Sequence, residues 1–463
     1  MFDELHEECG VFGCYQIPDA ASMTYYGLHS LQHRGQEASG IAVQDEGRIT
    51  VLKGRGLTVD VFRKPELTAL KGSTAIGHVR YSTAGGAEAA NIQPIVSHSR
   101  LGDVAVAHNG QIVNEKELRR ELEEKGAIFQ GTSDSEVILH LIRMETGTLE
   151  ERVKKAAARL EGAFAVLVEG EGKLFAFRDT HGLRPLSAAR FQEGWLVSSE
   201  TCAFEVMGIY DSETVPAGGF CTFDDGILRR SQYREPGTPH ICAMEYIYFA
   251  RPDSVIEDVN VHKFRKQTGW LLAQDDDVQG DVVVGVPDSS LSAAIGYSEA
   301  SGIPFETGLV KNRYVGRTFI QPTQEMRDRG VRMKLSPVRE AVEGKSVIMI
   351  DDSIVRGTTS RRIVRLLREA GAREIHVRIA SPVLKLPCFY GVDISTKEEL
   401  IGHRMDVEAI RQYIEADSLK FMTPQQLRYA AGTAGLCTAC FDGNYPTPLP
   451  TVQDKYSLEY VKK

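Results

Sequence analysis

The segment Val347-Ile-Met-Ile-Asp-Asp-Ser-Ile-Val-Arg-Gly-Thr-Thr-Ser360 most constrains what this chain can fold into. Val347 to Ile350 is a continuous apolar run with β-branched members, the pattern of a strand covered on both faces. After Ser360, apolar residues return at helical spacing at Ile363, Leu366, Leu367 and Ala370, and Gly371 is placed to end that helix. Between the two, Ser353, Thr358 and Thr359 supply hydroxyls, and Gly357 allows a loop whose backbone N–H groups turn inward. A helix N-terminus behind such a loop favours phosphate, through its free N–H groups and its dipole. Asp351 and Asp352 at the strand's end add acceptors for sugar hydroxyls. An ordinary βα unit with acidic residues at its strand tip shares this outline. The hydroxyl-rich continuation from Arg356 to Ser360 is what points to a sugar phosphate.

A chain of 463 residues is too long for one compact core, so two domains are expected. With 42% hydrophobic and 25% charged residues the composition is that of a soluble globular protein, and no apolar run approaches the ~18 residues of a membrane span. The acidic start, Met1 to Glu8, lacks the basic and apolar regions of a signal peptide, which makes the cytoplasm the expected compartment. A net charge of −9 argues against a nucleic-acid surface. Eight cysteines are too sparse for a disulfide scaffold and favour thiolate chemistry or metal ligation. The polar stretch Gln232–His240, with its prolines and glycine, marks a boundary. Short strand-like runs precede it, including 104–107, 164–168 and 174–177; after it, strands at 282–286 and 347–350 alternate with helical patterns.

The Val347–Ser360 segment resembles the 5-phosphoribosyl-1-pyrophosphate (PRPP) motif of type I phosphoribosyltransferases. The resemblance implies that Asp351 and Asp352 bind the ribose hydroxyls, while Ser353, Arg356, Gly357, Thr358 and Thr359 belong to the loop that wraps the 5-phosphate. Asp281 to Ser290 is another strand ending in a polar loop. By the same resemblance it faces pyrophosphate, and Ser289 with Asp351 and Asp352 lies around Mg²⁺, an ion that prefers oxygen ligands and bridges phosphates. The basic and aromatic run Lys311–Pro322 reads either as a solvated surface or as a pyrophosphate lid; the family match favours a lid, with Lys311, Arg317 and Lys334 meeting phosphate charge.

In the first half, Cys9 stands in Glu7-Glu8-Cys9-Gly10-Val11-Phe12-Gly13. On its own such a cysteine reads as a small apolar residue at a strand start. Three further segments add weight: Leu31–Gly40, Ile76–Thr83 with Arg80 at a strand end, and Ala105–Gly110. The last ends in Asn109-Gly110, a side-chain amide beside a flexible backbone N–H, two donors that suit an oxyanion hole. With Thr132–Glu136 these segments resemble the class II glutamine amidotransferases, which are N-terminal-nucleophile hydrolases. The resemblance implies that Cys9 forms a glutamyl thioester, that Asn109 and Gly110 stabilise the oxyanion, and that Arg80 and Asp134 hold the glutamine α-carboxylate and α-amino group. His33, Arg34, His78 and His108 are expected to shape the site or satisfy core hydrogen bonds. In that family the mature chain begins with the cysteine, whose α-amino group, with a pKa of about 7.7–8, acts as the base. Residues 1–8 would block it, so cleavage between Glu8 and Cys9 is expected.

Both halves together resemble the glutamine PRPP amidotransferase family from about Glu8 through Pro446. The fold implied is an α+β N-terminal-nucleophile hydrolase sandwich (αββα) over 9–235, then an α/β phosphoribosyltransferase domain with a mainly parallel sheet over 240–463, behind a propeptide at 1–8. The activity implied is glutamine hydrolysis and transfer of the ammonia to PRPP, opening de novo purine synthesis, with purine-nucleotide feedback and a homo-oligomer, either dimer or tetramer. A PRPP-sensing regulator is the alternative, and so is an amidotransferase acting on another sugar phosphate. The remaining cysteines include the pair Cys437-Thr-Ala-Cys440 with Cys242 and Cys388 apart in sequence. Spacing leaves zinc, a redox dithiol and an iron–sulfur cluster open. One branch of the family carries both a propeptide and a 4Fe–4S cluster, and by that resemblance these four cysteines are its ligands. Cys14, Cys202 and Cys221 sit in apolar, strand-like surroundings and read as buried structural residues.

Overall fold

The apolar alternation of the first half closes into two stacked antiparallel sheets. The computed structural model describes residues 9–81, 89–100, 102–312, 335–394, 396–432 and 435–449. One sheet has seven strands, ordered Glu213–Thr214, Ser187–Phe191, Gly194–Ser198, Gly10–Tyr15, Thr74–Arg80, Ala38–Asp45 and Arg48–Arg55. The other has six, ordered Ile227–Gln232, Gly219–Asp224, Lys173–Arg178, Gly162–Gly170, Val104–Ile112 and Ile95–Ser97. Side chains alternate between faces along a strand. Val11 and Tyr15 therefore enter the layer between the sheets with Ala105, Ala107, Ala165 and Ala176. Phe12 and Cys14 point the other way, into a cluster with Leu28 of the helix Ala20–Ser30. Val104, Val106, Phe164 and Val166 meet residues of the helices Glu115–Glu124, Asp134–Met144 and Leu149–Ala157. Helix, sheet, sheet and helix thus stack as the expected αββα sandwich.

The second half builds a four-stranded, wholly parallel sheet in the order Val282–Gly285, Ser346–Asp351, Glu374–Ile379 and Ser418–Phe421. Ile348 and Ile350 face one core, Val347 and Met349 the other, which is why this strand reads as an unbroken apolar run. The helix after it starts at Thr358, two residues earlier than apolar spacing alone marks, because Gly357 takes the left-handed conformation at its N-cap. A short parallel pair, Ile241–Cys242 with Leu436–Cys437, ties the start of this half to its far end.

Glu169 breaks the alternation logic. It is fully buried in the strand Gly162–Gly170, and among the described residues neither carboxylate oxygen has a hydrogen-bond partner. Burial holds its carboxyl well above the usual range. The folded state therefore binds this proton more tightly than the unfolded chain, and the stability contribution falls as pH rises above the unfolded value of about 4.3. Glu169→Met is expected to stabilise the protein by about 1–3 kcal/mol at neutral pH. Its advantage in thermal midpoint over the wild type should widen from about pH 4 to pH 7, as followed by calorimetry; an equal or lower midpoint at neutral pH would contradict this.

Candidate functional site

Strand pairing assembles the first site. Gly10 pairs with Val79, which sets Cys9 and Arg80 at the same end of adjacent strands. The Cys9 thiol donates to the Tyr81 carbonyl at 3.5 Å, and Arg34 Nε donates to the Cys9 carbonyl at 3.0 Å. Burial pushes the thiol up from its ordinary value, with Arg80 opposing and Asp134 reinforcing the shift. Both of these charged residues are therefore within electrostatic range of Cys9. Arg80 and Asp134 are themselves buried, at 5% and 7% exposure. Asp134 opens the helix Asp134–Met144, whose N-cap Ser133 accepts from the Ser135 N–H. One Asp134 oxygen accepts from the Ile112 N–H at 2.9 Å, and the other lies 3.7 Å from His108 Nδ1.

Asn109 and Gly110 lie near the end of the strand Val104–Ile112, opposite Ala165 and Phe164. Among the described residues the buried Asn109 side-chain nitrogen has no hydrogen-bond partner. An orphaned buried amide donor costs about 1–3 kcal/mol, and such a group calls for a functional explanation, here a donor available to an oxyanion. Gly110 has φ 138°, and a Cβ there would stand 1.9 Å from the Ala163 carbonyl oxygen, so only glycine fits. Sequence reasoning missed Gln93, which clamps the neighbouring backbone: its side chain accepts from the His108 N–H at 2.6 Å and donates to the His108 carbonyl at 3.1 Å.

The histidines act as scaffold. His78 Nε2 contacts the His108 carbonyl at 3.1 Å, and His108 Nδ1 contacts Ser135 Oγ at 3.1 Å. Burial, with Arg80 and His108 nearby, holds His78 down at about 3, and burial likewise lowers His108. Both are neutral at physiological pH.

The second site lies at the carboxyl end of the parallel sheet. Asp351 and Asp352 are buried, at 7% and 8% exposure. Asp351 Oδ1 accepts from the Asp352 N–H at 2.9 Å and from Ser290 Oγ at 3.2 Å. Asp352 accepts from Ser289 Oγ and, at 2.6 Å, from Ser353 Oγ. Two carboxylates and three hydroxyls thus converge from two strand-end loops, an all-oxygen donor set of the kind magnesium prefers. Arg356 pairs with Glu399 at 2.7 Å, and Lys311 pairs with Asp288 at 2.9 Å beside the Ser289 loop. Gly357 has φ 81°, and a Cβ there would stand 2.7 Å from Ile401 Cδ1. Thr358 and Thr359 begin the helix Thr358–Glu369. Arg317 and Lys334, and all but the first two residues of the Lys311–Pro322 run, lie outside the described residues, as does the 1–8 segment.

A third assembly holds the four remaining cysteines. Cys242 and Cys437 are register partners in the short parallel pair, and Cys388 and Cys440 line the same pocket with Leu183, Arg184 and Tyr390. The Tyr390 N–H donates to Cys388 Sγ at 3.3 Å. Burial pushes the Cys242 and Cys437 thiols up to about 12. Among the described residues no three His, Cys, Asp or Glu side chains close on a single-ion site. Cys14, Cys202 and Cys221 are buried elsewhere in the first half.

A test of the second site needs only an anion. Inorganic phosphate should bind at the Ser353–Thr359 loop, and Gly357→Ala, which strains the backbone and presses Ile401, should weaken that binding at least about tenfold by calorimetric titration. Unchanged affinity would remove the loop from the phosphate site.

Residues 78–206 match the model of the glutamine amidotransferase domain, and residues 262–386 that of the phosphoribosyl transferase domain. The amidophosphoribosyltransferase of Bacillus subtilis (strain 168) is 52% identical over 453 residues, covering 96% of this chain and 95% of the relative. That of Staphylococcus aureus (strain MRSA252) is 47% identical over 464 residues, covering 98% and 94%. A solved structure described as glutamine phosphoribosylpyrophosphate amidotransferase from B. subtilis, complexed with ADP and GMP, superposes with a TM-score of 0.91 at 51% identity, covering 96% of this chain and 98% of that one. A second, described as the allosteric regulatory enzyme of purine biosynthesis, gives a TM-score of 0.93 at 50% identity, covering 97% and 100%. This chain, with its cysteine site and its strand-end acid pair on one polypeptide, belongs to the amidophosphoribosyltransferase family.

Proposed function

We propose that this protein transfers the amide nitrogen of glutamine to C1 of PRPP, giving 5-phosphoribosylamine, glutamate and pyrophosphate, the first step of de novo purine synthesis. The observation that carries it is one chain holding both a buried Asn109 amide nitrogen with no partner among the described residues, in the half that bears Cys9, and the Asp351–Asp352 strand-end loop. We assign 9–235 to glutamine hydrolysis and 240–463 to the transfer.

Because burial raises the Cys9 thiol, it is protonated at neutral pH and needs a base. The freed α-amino group of Cys9 would take that proton once residues 1–8 are removed. Thiolate attack on the glutamine amide then forms the tetrahedral oxyanion, which the Asn109 amide and the Gly110 N–H would stabilise. Its collapse releases ammonia and leaves a thioester that water hydrolyses to glutamate. Arg80 and Asp134 would hold the substrate's α-carboxylate and α-ammonium. Ammonia passing internally to the ribose C1 displaces pyrophosphate, with Asp351 and Asp352 on the ribose hydroxyls and Ser353 to Thr359 on the 5-phosphate. Ser289, Asp351 and Asp352 would hold Mg²⁺, which supplies charge neutralisation for the departing pyrophosphate. Lys311 would meet the same charge.

Cys242, Cys388, Cys437 and Cys440 would hold a 4Fe–4S cluster, structural or oxygen-sensing, with no part in the transfer. Four thiols lining one pocket support this reading. Purine nucleotides acting as inhibitors, a homo-oligomer and a cytoplasmic location complete the assignment. ADP and GMP in the B. subtilis structure support the first. No helix among the described residues is long and apolar enough to cross a membrane.

Anaerobically purified protein should form glutamate and pyrophosphate in matched amounts only with PRPP, Mg²⁺ and glutamine together. Asn109→Ala should lower the glutamine-dependent kcat by about 10²–10³ and spare ammonia-dependent pyrophosphate release. Pyrophosphate formed from neither nitrogen source would return the PRPP-sensing alternative. The same preparation should be brown, contain iron, and begin at Cys9 on N-terminal sequencing. Colourless, iron-free and fully active protein would remove the cluster, and an active protein beginning before Cys9 would remove the cleavage.

A further inference from the structure

A buried ion network that the chemistry above does not use joins the two halves. The side chains of Arg34, Glu200 and Glu245 are 0% exposed and that of Arg184 is 1%. Arg34 donates from Nη1 to Glu200 at 2.6 Å and to Glu245 Oε2 at 2.9 Å, and from Nη2 to Glu245 Oε1 at 2.8 Å. Its Nε holds the Cys9 carbonyl. Glu245 accepts also from Arg184 Nη1 at 3.2 Å, and Arg184 donates onward to the Tyr390 carbonyl. The next residue, Gly391, stands so near the oxyanion glycine that a Cβ on it would meet the Gly110 carbonyl carbon at 3.3 Å.

Glu245 also opens the π-helical turn Glu245–Phe249. Such turns recur at functional sites. Arg265, from the helix Val261–Gln274, grips this turn by donating to the Tyr246 carbonyl at 2.7 Å and the Ala250 carbonyl at 2.8 Å. Burial lowers the Arg265 guanidinium to about 10, and Asp352 and Glu200 are the foremost charges acting against that shift. Asp352 and Glu200 therefore both act electrostatically on Arg265.

We propose that Glu245 is a positioning residue for the glutamine half-reaction: through Arg34 it fixes the Cys9 carbonyl. The inference rests on the glutamine chemistry proposed above. Without the Glu245 carboxylate, Arg34 loses its bidentate partner, and the guanidinium plane, with the Nε bond to Cys9, is held less tightly by what remains, the bond to Glu200 included. A misplacement of about 1 Å at a reacting group costs up to about 10²-fold in rate.

The test compares wild type with Glu245→Gln in two assays: glutamate formation from glutamine with PRPP present, and pyrophosphate release with ammonia as the nitrogen source. Glu245→Gln should lower the glutamine kcat by roughly 10- to 100-fold, leaving the glutamine KM and the ammonia-dependent rate at wild-type values. An unchanged glutamine kcat overturns the proposal, and so does a parallel loss in both assays, which would mark a merely structural role. If Glu245→Gln does not fold, Arg34→Lys takes its place, keeping the charge for Glu200 and Glu245 but removing the Nε donor. A fall in glutamine kcat then supports the proposal and a wild-type kcat overturns it. Wild-type protein that forms no glutamate would instead overturn the amidotransferase assignment.

Discussion

Four full charges taken out of water at one place set the terms for the rest of the molecule. Each ion removed from water carries a penalty of several kcal/mol, and in the Arg34–Glu200–Glu245–Arg184 network that penalty is offset only by multiplicity of partners. Glu200 accepts from Arg34, from His33 at 2.8 Å, from the Ser254 hydroxyl at 2.7 Å and from the Arg251 N–H at 2.9 Å. Glu245 accepts from two guanidinium groups. No member can leave without stranding another, so the first and second halves are fixed in relative register as well as in proximity. An apolar junction of equal area would tolerate sliding; a network of directed, charge-assisted bonds does not.

The elements flanking this junction were largely legible in the sequence, and the junction was not. The apolar runs at 104–107, 164–168 and 347–350 report strands buried on both faces, which is local information. Cys9, Asn109-Gly110 and Asp351-Asp352 stand at strand ends, where a change from apolar to polar residues marks both the turn and the chemistry. Glu200 and Glu245 carry no such mark. Glu245 sits inside the apolar stretch from Cys242 to Phe249, and its partner Arg34 is 211 residues away. In the sequence Arg34 reads as a residue that shapes the site or satisfies core hydrogen bonds, which describes its class and leaves its partners unnamed. Gln93 escaped for a similar reason, since a glutamine before a proline reads as a turn until the His108 backbone is seen to pair with it.

Local chemistry in the first site is arranged by holding groups in one state. His78 and His108, both buried and neutral, each engage one ring nitrogen, on a carbonyl and a hydroxyl respectively, which orients the two rings. In the proposed chemistry, proton movement at the cysteine would be left to the α-amino group that cleavage before Cys9 would release. Such a group would confer reactivity only on the mature chain, whereas a second ionisable base beside the thiol would compete for its proton at all times.

The two strand-end sites also solve one problem in opposite ways. In the proposed chemistry the cysteine site would present donors to an oxyanion, and among the described residues the Asn109 amide nitrogen has no partner. The acid pair would present acceptors to hydroxyls and a cation, and serine hydroxyls and a backbone N–H hold Asp351 and Asp352 in place. A carboxylate can accept several bonds at once and still accept from a ligand, while an amide donor already engaged cannot serve an oxyanion. The acid site is therefore satisfied by its own scaffold before substrate arrives. The thiol site is not, and it draws its rigidity from outside its own sheet, through Arg34 to the carboxylate of Glu245.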